Sequence, residues 1–125
     1  GVQTCALPIY CEWSAAAFGM TGLESALAIV HETMVASGLM KWSEVADRMS
    51  TAPARIGKVS DQGQPLKVGS PANLVVFNPG ANYVVDPAQT LSGSRNTPYR
   101  GRTLQGEVVA TFYKGKPTVL EGKLA

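Results

Sequence analysis

Glu107–Leu120 reads EVVATFYKGKPTVL. Val, Thr, Phe and Tyr crowd its first half, and branched or aromatic side chains fit the pleated surface of a sheet. Gly115 interrupts the run and Thr118–Leu120 resumes it. Two such runs around a glycine turn predict a hairpin, with strands at Glu107–Tyr113 and Thr118–Leu120. Further upstream, Asn73–Phe77 is a short apolar run between Pro71 and Asn78-Pro79-Gly80, which predicts a buried strand. Tyr83–Val85 predicts another. Ala88–Thr103 is polar and rich in turn residues, and predicts a long ordered loop.

The residues before this strand-rich half are helical in pattern. Thr21 followed by Glu24 has the spacing of a capping box. Leu23, Leu27, Val30 and Met34 then recur at helical intervals and predict one apolar face. Gly38 predicts the helix stop. Ser43 predicts the cap of a second helix, with Val45 and Met49 one turn apart. Pro53 predicts a break or a new first turn, followed by a short helix through Ile56. Helices followed by strands suggest α+β if the chain stands alone. The helices, however, have no strand of their own to cover them. An uncovered apolar face predicts that the 125 residues are part of a larger body.

Composition bounds the function. With 45% hydrophobic and 16% charged residues the chain is globular in type, and a net charge of +2 argues for neither nucleic acid nor an anionic membrane. The basic residues are scattered, and the loose cluster from Arg95 to Arg102 reads as a solvated loop. No apolar stretch is long enough to span a bilayer, so cytoplasm is the default expectation. Cys5 and Cys11 can build neither a disulfide framework nor a zinc pattern. His31 is the single histidine, too few for a self-contained metal site of the usual ligands.

Little catalytic chemistry is evident. Nucleophilic catalysis needs a nucleophile, a base and a group that orients the base. His31 is the only conventional base, and its mid-helix position reads as a surface or groove histidine. Glu32 reads as solvent-facing. Glu44 and Asp47 fall at i, i+3 on a charged helix surface. Gly57, Gly63 and Gly69 are not followed by the Lys-Ser/Thr helix start of a phosphate loop.

Gly1–Ile9, GVQTCALPI, has a different character. Its last four residues match the translation of GCT CTT CCG ATC, part of a sequencing-library adapter, and its first five match the preceding codons. It is set aside as foreign sequence.

From Cys11 onward, several segments resemble the dihydroorotases, amidohydrolases of pyrimidine biosynthesis. Phe18–Leu27, FGMTGLESAL, is similar to that family's FG(M/I)xGLETAL segment. Ala52–Ile56, APARI, resembles its PAxIL helix. Gly63–Val76, GQPLKVGSPANLVV, resembles a GxLxxGxxADLVV stretch common to the wider superfamily, which hydantoinases and allantoinases share. Asn96-Thr97-Pro98-Tyr99, with Gly101, Leu104, Gly106 and Val108, resembles NTPFxGxxLxGxV, and Thr111 and Gly115 fit the closing TxxxG. The departures are Ser25 for Thr, Asn73 for Asp and Tyr99 for Phe. Of these, Asn73 alters one hydrogen bond at a strand start.

The resemblance implies an α/β fold class. The chain would be the C-terminal end of a (β/α)8 metal-dependent hydrolase barrel plus the C-terminal strands of an adjoining small β-sandwich. Residues 1–9 would be adapter-derived, 10–60 the last barrel helices and 61–125 the sandwich part. The implied reaction is the zinc-dependent interconversion of N-carbamoyl-L-aspartate and (S)-dihydroorotate on the way to UMP. The zinc ligands and the catalytic aspartate would lie upstream, so no catalytic or metal residue carries over. Phe18 and Gly19 do carry over, as substrate-binding residues at the active-site mouth. The implied partners are the small-molecule substrate and either a second copy or aspartate transcarbamoylase. The alternatives are a sibling allantoinase or hydantoinase, and a catalytically inactive dihydroorotase-like scaffold subunit.

Overall fold

In the computed structural model, which describes residues 12–15 and 19–125 apart from the side chain of Trp13, the hairpin is present and longer than its apolar runs. Its strands, here β2 and β3, are Thr103–Tyr113 and Lys116–Leu120. Lys114 and Gly115 join them with φ of 50° and 80°. Two left-handed residues make the tight turn whose twist matches that of the flanking strands. Glu121 and Gly122 repeat the geometry at 50° and 72°, and lead into β4, Lys123–Leu124. This last strand was not expected. With β1, Leu74–Val84, it completes an antiparallel sheet in the order β1-β2-β3-β4.

Strand β1 absorbs both short strands predicted upstream. Asn78-Pro79-Gly80 does not end the first of them. Pairing is interrupted between Asn78↔Glu107 and Asn82↔Gln105 and then resumes. Pro79 has no N–H for the ladder, so the chain bulges there rather than turning. The Gly80 N–H donates to Asn78 Oδ1 at 3.0 Å inside the bulge. The strand is also not buried as expected, since Val75 is 50% exposed and Val76 45%.

The start of the sheet is clasped by Asn73. Its Oδ1 accepts from the Lys114 N–H at 2.7 Å and its Nδ2 donates to the Asp61 carbonyl at 2.8 Å. An Asp there could make the first bond but not the second. Lys114 Nζ also meets Asp61 Oδ2 at 3.0 Å. The hydrogen bond from Lys114, followed by its charge, holds the Asp61 carboxyl below its ordinary 3.8.

Two helical stretches precede the sheet. The first is α1, Ala26–Val30, continued by a π turn over His31–Val35. It stops at Gly38, φ 78°, as its sequence predicts. The second runs unbroken from α2, Trp42–Ala46, through a π turn at Asp47–Thr51 into α3, Ala52–Ile56. Pro53, the second residue of α3, lies inside this continuous run, so the break or new first turn expected there does not occur.

Three local expectations change. Ser43 is not the cap of α2, because Glu44 accepts the Lys41 N–H at 2.8 Å and the chain enters from an extended Lys41. Thr21 and Glu24 form no capping box, because both bond to residues far along the chain. The first helical stretch does have strands to pack on, since Ala28 joins Val85 and Leu104 in one cluster, while the Leu23 stripe stays open as expected: Leu23 is 96% exposed, and Leu27, Val30 and Met34 are only partly covered. The buried positions of this segment are Ser25, Ala28 and His31. Likewise Val45 is buried but Met49 is not.

The core lies between α1 and the sheet. Ala28, Val85 and Leu104 form it, flanked by Ile29, Tyr83 and Tyr99.

An aromatic joint fixes the helices to the sheet. The reading of His31 as a surface or groove histidine does not hold, since the residue is buried at 6% exposure. Its ring stacks on Trp42 with centroids 5.4 Å apart, and Phe77 meets both rings edge-on at 5.6 and 5.3 Å. His31 Nδ1 lies 3.2 Å from the Gln105 carbonyl, so that nitrogen carries the proton in the bond. Beneath Phe77 lies Gly106, with φ 104°. A Cβ on Gly106 would stand 2.2 Å from Phe77 Cζ.

Two outcomes follow from the joint. Gly106→Ala should lower stability by at least about 2 kcal/mol in chemical denaturation, through overpacking and backbone strain. A loss under about 0.5 kcal/mol would contradict the close packing. His31→Ala should also cost about 2–3 kcal/mol, through the lost bond and ring contacts. Unchanged stability in the same measurement would show that the ring does not join helix to sheet.

Candidate functional site

Phe18, one of the two expected substrate contacts, lies outside the described residues; Gly19, the other, does not. Gly19 is exposed, and the position a Cβ would take has no atom within 4 Å. Its carbonyl accepts a hydrogen bond from Asn96 Nδ2. Two residues on, Thr21 donates to the Asn96 carbonyl twice, from its N–H at 2.8 Å and from Oγ1 at 3.1 Å. Among the described residues, the Gly19 N–H donates to nothing. An exposed N–H on an anchored loop can donate to a carboxylate or a carbonyl of a ligand.

Glu24 adds a second anchor. Its Oε1 accepts from the Leu91 N–H at 3.1 Å and the Ser92 N–H at 3.2 Å, and Oε2 accepts from Leu91 at 3.2 Å. These bonds commit the carboxylate to holding a loop. The Phe18–Leu27 and Asn96–Tyr99 segments, which separately carried the resemblance, are therefore in direct contact. Asn96 was quoted there only as part of a motif, and nothing in its local sequence signals the long-range bond.

The loop that supplies Asn96 is itself braced. Asp86 Oδ1 accepts from the Ala88 N–H at 2.9 Å, a turn of the kind Asp favours. Thr90 Oγ1 donates to the Pro87 carbonyl at 2.9 Å. Arg95 Nη1 donates to the Thr90 carbonyl at 3.0 Å and to the Ser92 carbonyl. Val85 N–H to Arg102 carbonyl, 3.0 Å, and Gly101 N–H to Val85 carbonyl, 2.8 Å, close its base. The Arg95–Arg102 cluster is thus not merely solvated. Arg102 also pairs with Glu32 at 3.0 Å, so Glu32 is engaged rather than simply solvent-facing. At 46% and 35% side-chain exposure, screening keeps that pair to at most about 1 kcal/mol.

Among the described residues, no proton-transfer apparatus assembles around Gly19. His31 is spent on the Gln105 carbonyl in the helix–sheet joint. The half-buried Tyr83 hydroxyl is pushed above its ordinary 10.0, by burial first and then by Glu107 and Glu24, so it stays protonated near neutral pH. Among the described residues, no three His, Cys, Asp or Glu side chains gather as a metal site. The residues present therefore do not form the zinc centre that the resemblance implies. No helix among them is long and apolar enough to cross a membrane.

Comparison with known proteins places this geometry. No family model matches the chain. Dihydroorotase of Streptomyces coelicolor is 54% identical over 114 residues, 91% of this chain and 27% of that protein. The dihydroorotases of Leifsonia xyli and Mycobacterium tuberculosis are 45% and 47% identical over 90% of the chain, and 26% of each is covered. The chain thus spans about a quarter of the length of the curated relatives it matches. Among solved structures, L-hydantoinase (dihydropyrimidinase) from Arthrobacter aurescens superposes with a TM-score of 0.80 at 26% identity, over 90% of this chain and 25% of that one. D-hydantoinase from Thermus sp. gives 0.77 at 22% identity, over 90% and 24%, and speaks to the fold alone. Helices followed by an antiparallel sheet are the arrangement of this part of such amidohydrolases, as expected. Over about nine-tenths of its length the chain is similar to the C-terminal part of curated dihydroorotases.

Proposed function

We propose that the chain serves as the C-terminal part of a dihydroorotase, a cyclic amide hydrolase that interconverts N-carbamoyl-L-aspartate and (S)-dihydroorotate. The observation that carries this reading is the 54% identity to a dihydroorotase over 91% of the chain. It favours dihydroorotase over a hydantoinase-type sibling, whose solved representative shares 26%. In this reading residues 10–60 are the last barrel helices and 61–125 the C-terminal part of the sandwich. The exposed Leu23, just before α1, suits helices that pack against the rest of a barrel. Zinc would be held by other residues of the parent enzyme, and it would supply Lewis-acid and water-activating chemistry there. Either a second copy or aspartate transcarbamoylase is the proposed protein partner, and the cytoplasm the proposed compartment.

The residues of this chain bind rather than react. Phe18 and Gly19 line the substrate mouth. The free N–H of Gly19 donates to a carboxylate or ring carbonyl, and the absence of a Cβ lets the ligand approach the backbone. Glu24 and Asn96 keep the strand of chain around Gly19 in place.

The test is a full-length enzyme in which this sequence replaces the corresponding part of the Streptomyces coelicolor relative. It should hydrolyse dihydroorotate in a zinc-dependent manner, whereas the isolated 125 residues should not. Turnover by the isolated chain, or none by the chimera, would overturn the reading. In the chimera, Gly19→Val should raise KM for dihydroorotate about tenfold, equivalent to about 1.4 kcal/mol, with zinc content retained. An unchanged KM would remove Gly19 from the substrate site.

A further inference from the structure

We infer that Asn96 is a positioning residue for the substrate loop: it sets where Gly19 presents its N–H, although it touches no ligand itself. The inference rests on the substrate-loop reading of Gly19 above.

The geometry is specific. Asn96 grips the Gly19–Thr21 segment at both ends. Its side-chain amide donates to the Gly19 carbonyl, and its own carbonyl accepts both bonds from Thr21. The peptide unit that follows Gly19 is thereby held by its oxygen, and the next peptide unit by its nitrogen. With both held, the backbone between them has little freedom to rotate. The Gly19 N–H belongs to the preceding peptide, so the hold on the Gly19 carbonyl acts on it by fixing the Gly19 Cα from which that N–H is presented. Nothing else in the described residues holds Gly19.

The residues behind Asn96 are built to keep it still. Thr97 is buried, its Oγ1 accepts from the Tyr99 N–H at 3.3 Å, and Tyr99 packs against the core of Ala28, Val85 and Leu104. The Asn96 N–H lies 3.4 Å from Ser94 Oγ. A bond from a rigid loop to a mobile one transfers the rigidity of the first. Displacing a binding group by about 1 Å is enough to lose much of its interaction. Asn is also the residue type the position needs. Its amide supplies the donor that the Gly19 carbonyl requires, and Asp, of the same shape, supplies none.

Asn96→Asp and Asn96→Ala in the chimeric enzyme test this directly. Asp keeps the shape and the backbone bonds to Thr21 while turning the donor into an acceptor. Both variants should raise KM for dihydroorotate about five- to tenfold, with kcat and zinc content within about twofold of the parent. They should also speed amide hydrogen exchange in the peptide covering residues 19–25, without a matching rise elsewhere in the chain. A purely structural role would instead lower Tm and the active fraction while leaving KM alone, and that result would overturn the inference. If Gly19→Val raises KM but both Asn96 variants leave KM and exchange unchanged, the inference fails and the substrate-loop reading survives. If Gly19→Val leaves KM unchanged while the Asn96 variants loosen residues 19–25, the clasp exists but serves no ligand, and both fall.

Discussion

The Phe77 ring can lie where it does only because residue 106 has no side chain. With φ at 104° and a virtual Cβ 2.2 Å from the ring, Gly106 is a vacancy shaped for one aromatic edge. The same ring completes the contact of His31 with Trp42, and His31 bonds to the residue next to Gly106. One glycine on β2 thus sets the distance and tilt of both helical stretches over the sheet. Each ring pair contributes about 0.5–1.5 kcal/mol beyond the area it buries. That matters in a chain whose buried apolar core is small.

The function follows from what the joint leaves in place. Once α1 is seated on the sheet, the segment before it passes beside the long loop between β1 and β2. Glu24 and Asn96 then link two stretches of chain separated by 67 and 77 residues. Backbone amides and carbonyls supply one partner in every bond of the clasp, and the Asn96, Thr21 and Glu24 side chains supply most of the others. Among the described residues it leaves the Gly19 N–H without an acceptor and commits the Glu24 carboxylate to structure. Among the described residues, this segment offers groups that can bind and orient a ligand.

Much of the local architecture was legible in the residues. The Gly115 hairpin, the Gly38 stop and the helix around Pro53 each depend on chemistry within a few positions, and each appears. The failures share one cause, which is competition from distant partners. Thr21 and Glu24 have the spacing of a capping box, but Thr21 donates to the Asn96 carbonyl and Glu24 accepts from the Leu91 and Ser92 amides. Asn78-Pro79-Gly80 has turn composition, yet pairing with β2 on either side carries the strand through it. The burial of His31 depends on Trp42 and Phe77, which no helical period relates to it. The leucine stripe of α1 was read correctly as apolar, but its partner is not the sheet. Gly19 was reached through a resemblance rather than through its own chemistry, and its hold on Asn96 was not visible until two motifs were seen in contact.

The central claim is that this chain presents the Gly19 N–H to a carboxylate or carbonyl of the substrate from a loop braced by Asn96. The most direct measurement is a crystal structure of the chimeric enzyme with dihydroorotate bound. The claim predicts a ligand oxygen within about 3.2 Å of the Gly19 nitrogen, with Asn96 Nδ2 still on the Gly19 carbonyl. A ligand seated away from Gly19, or a Gly19 carbonyl released from Asn96 in the bound state, would contradict it.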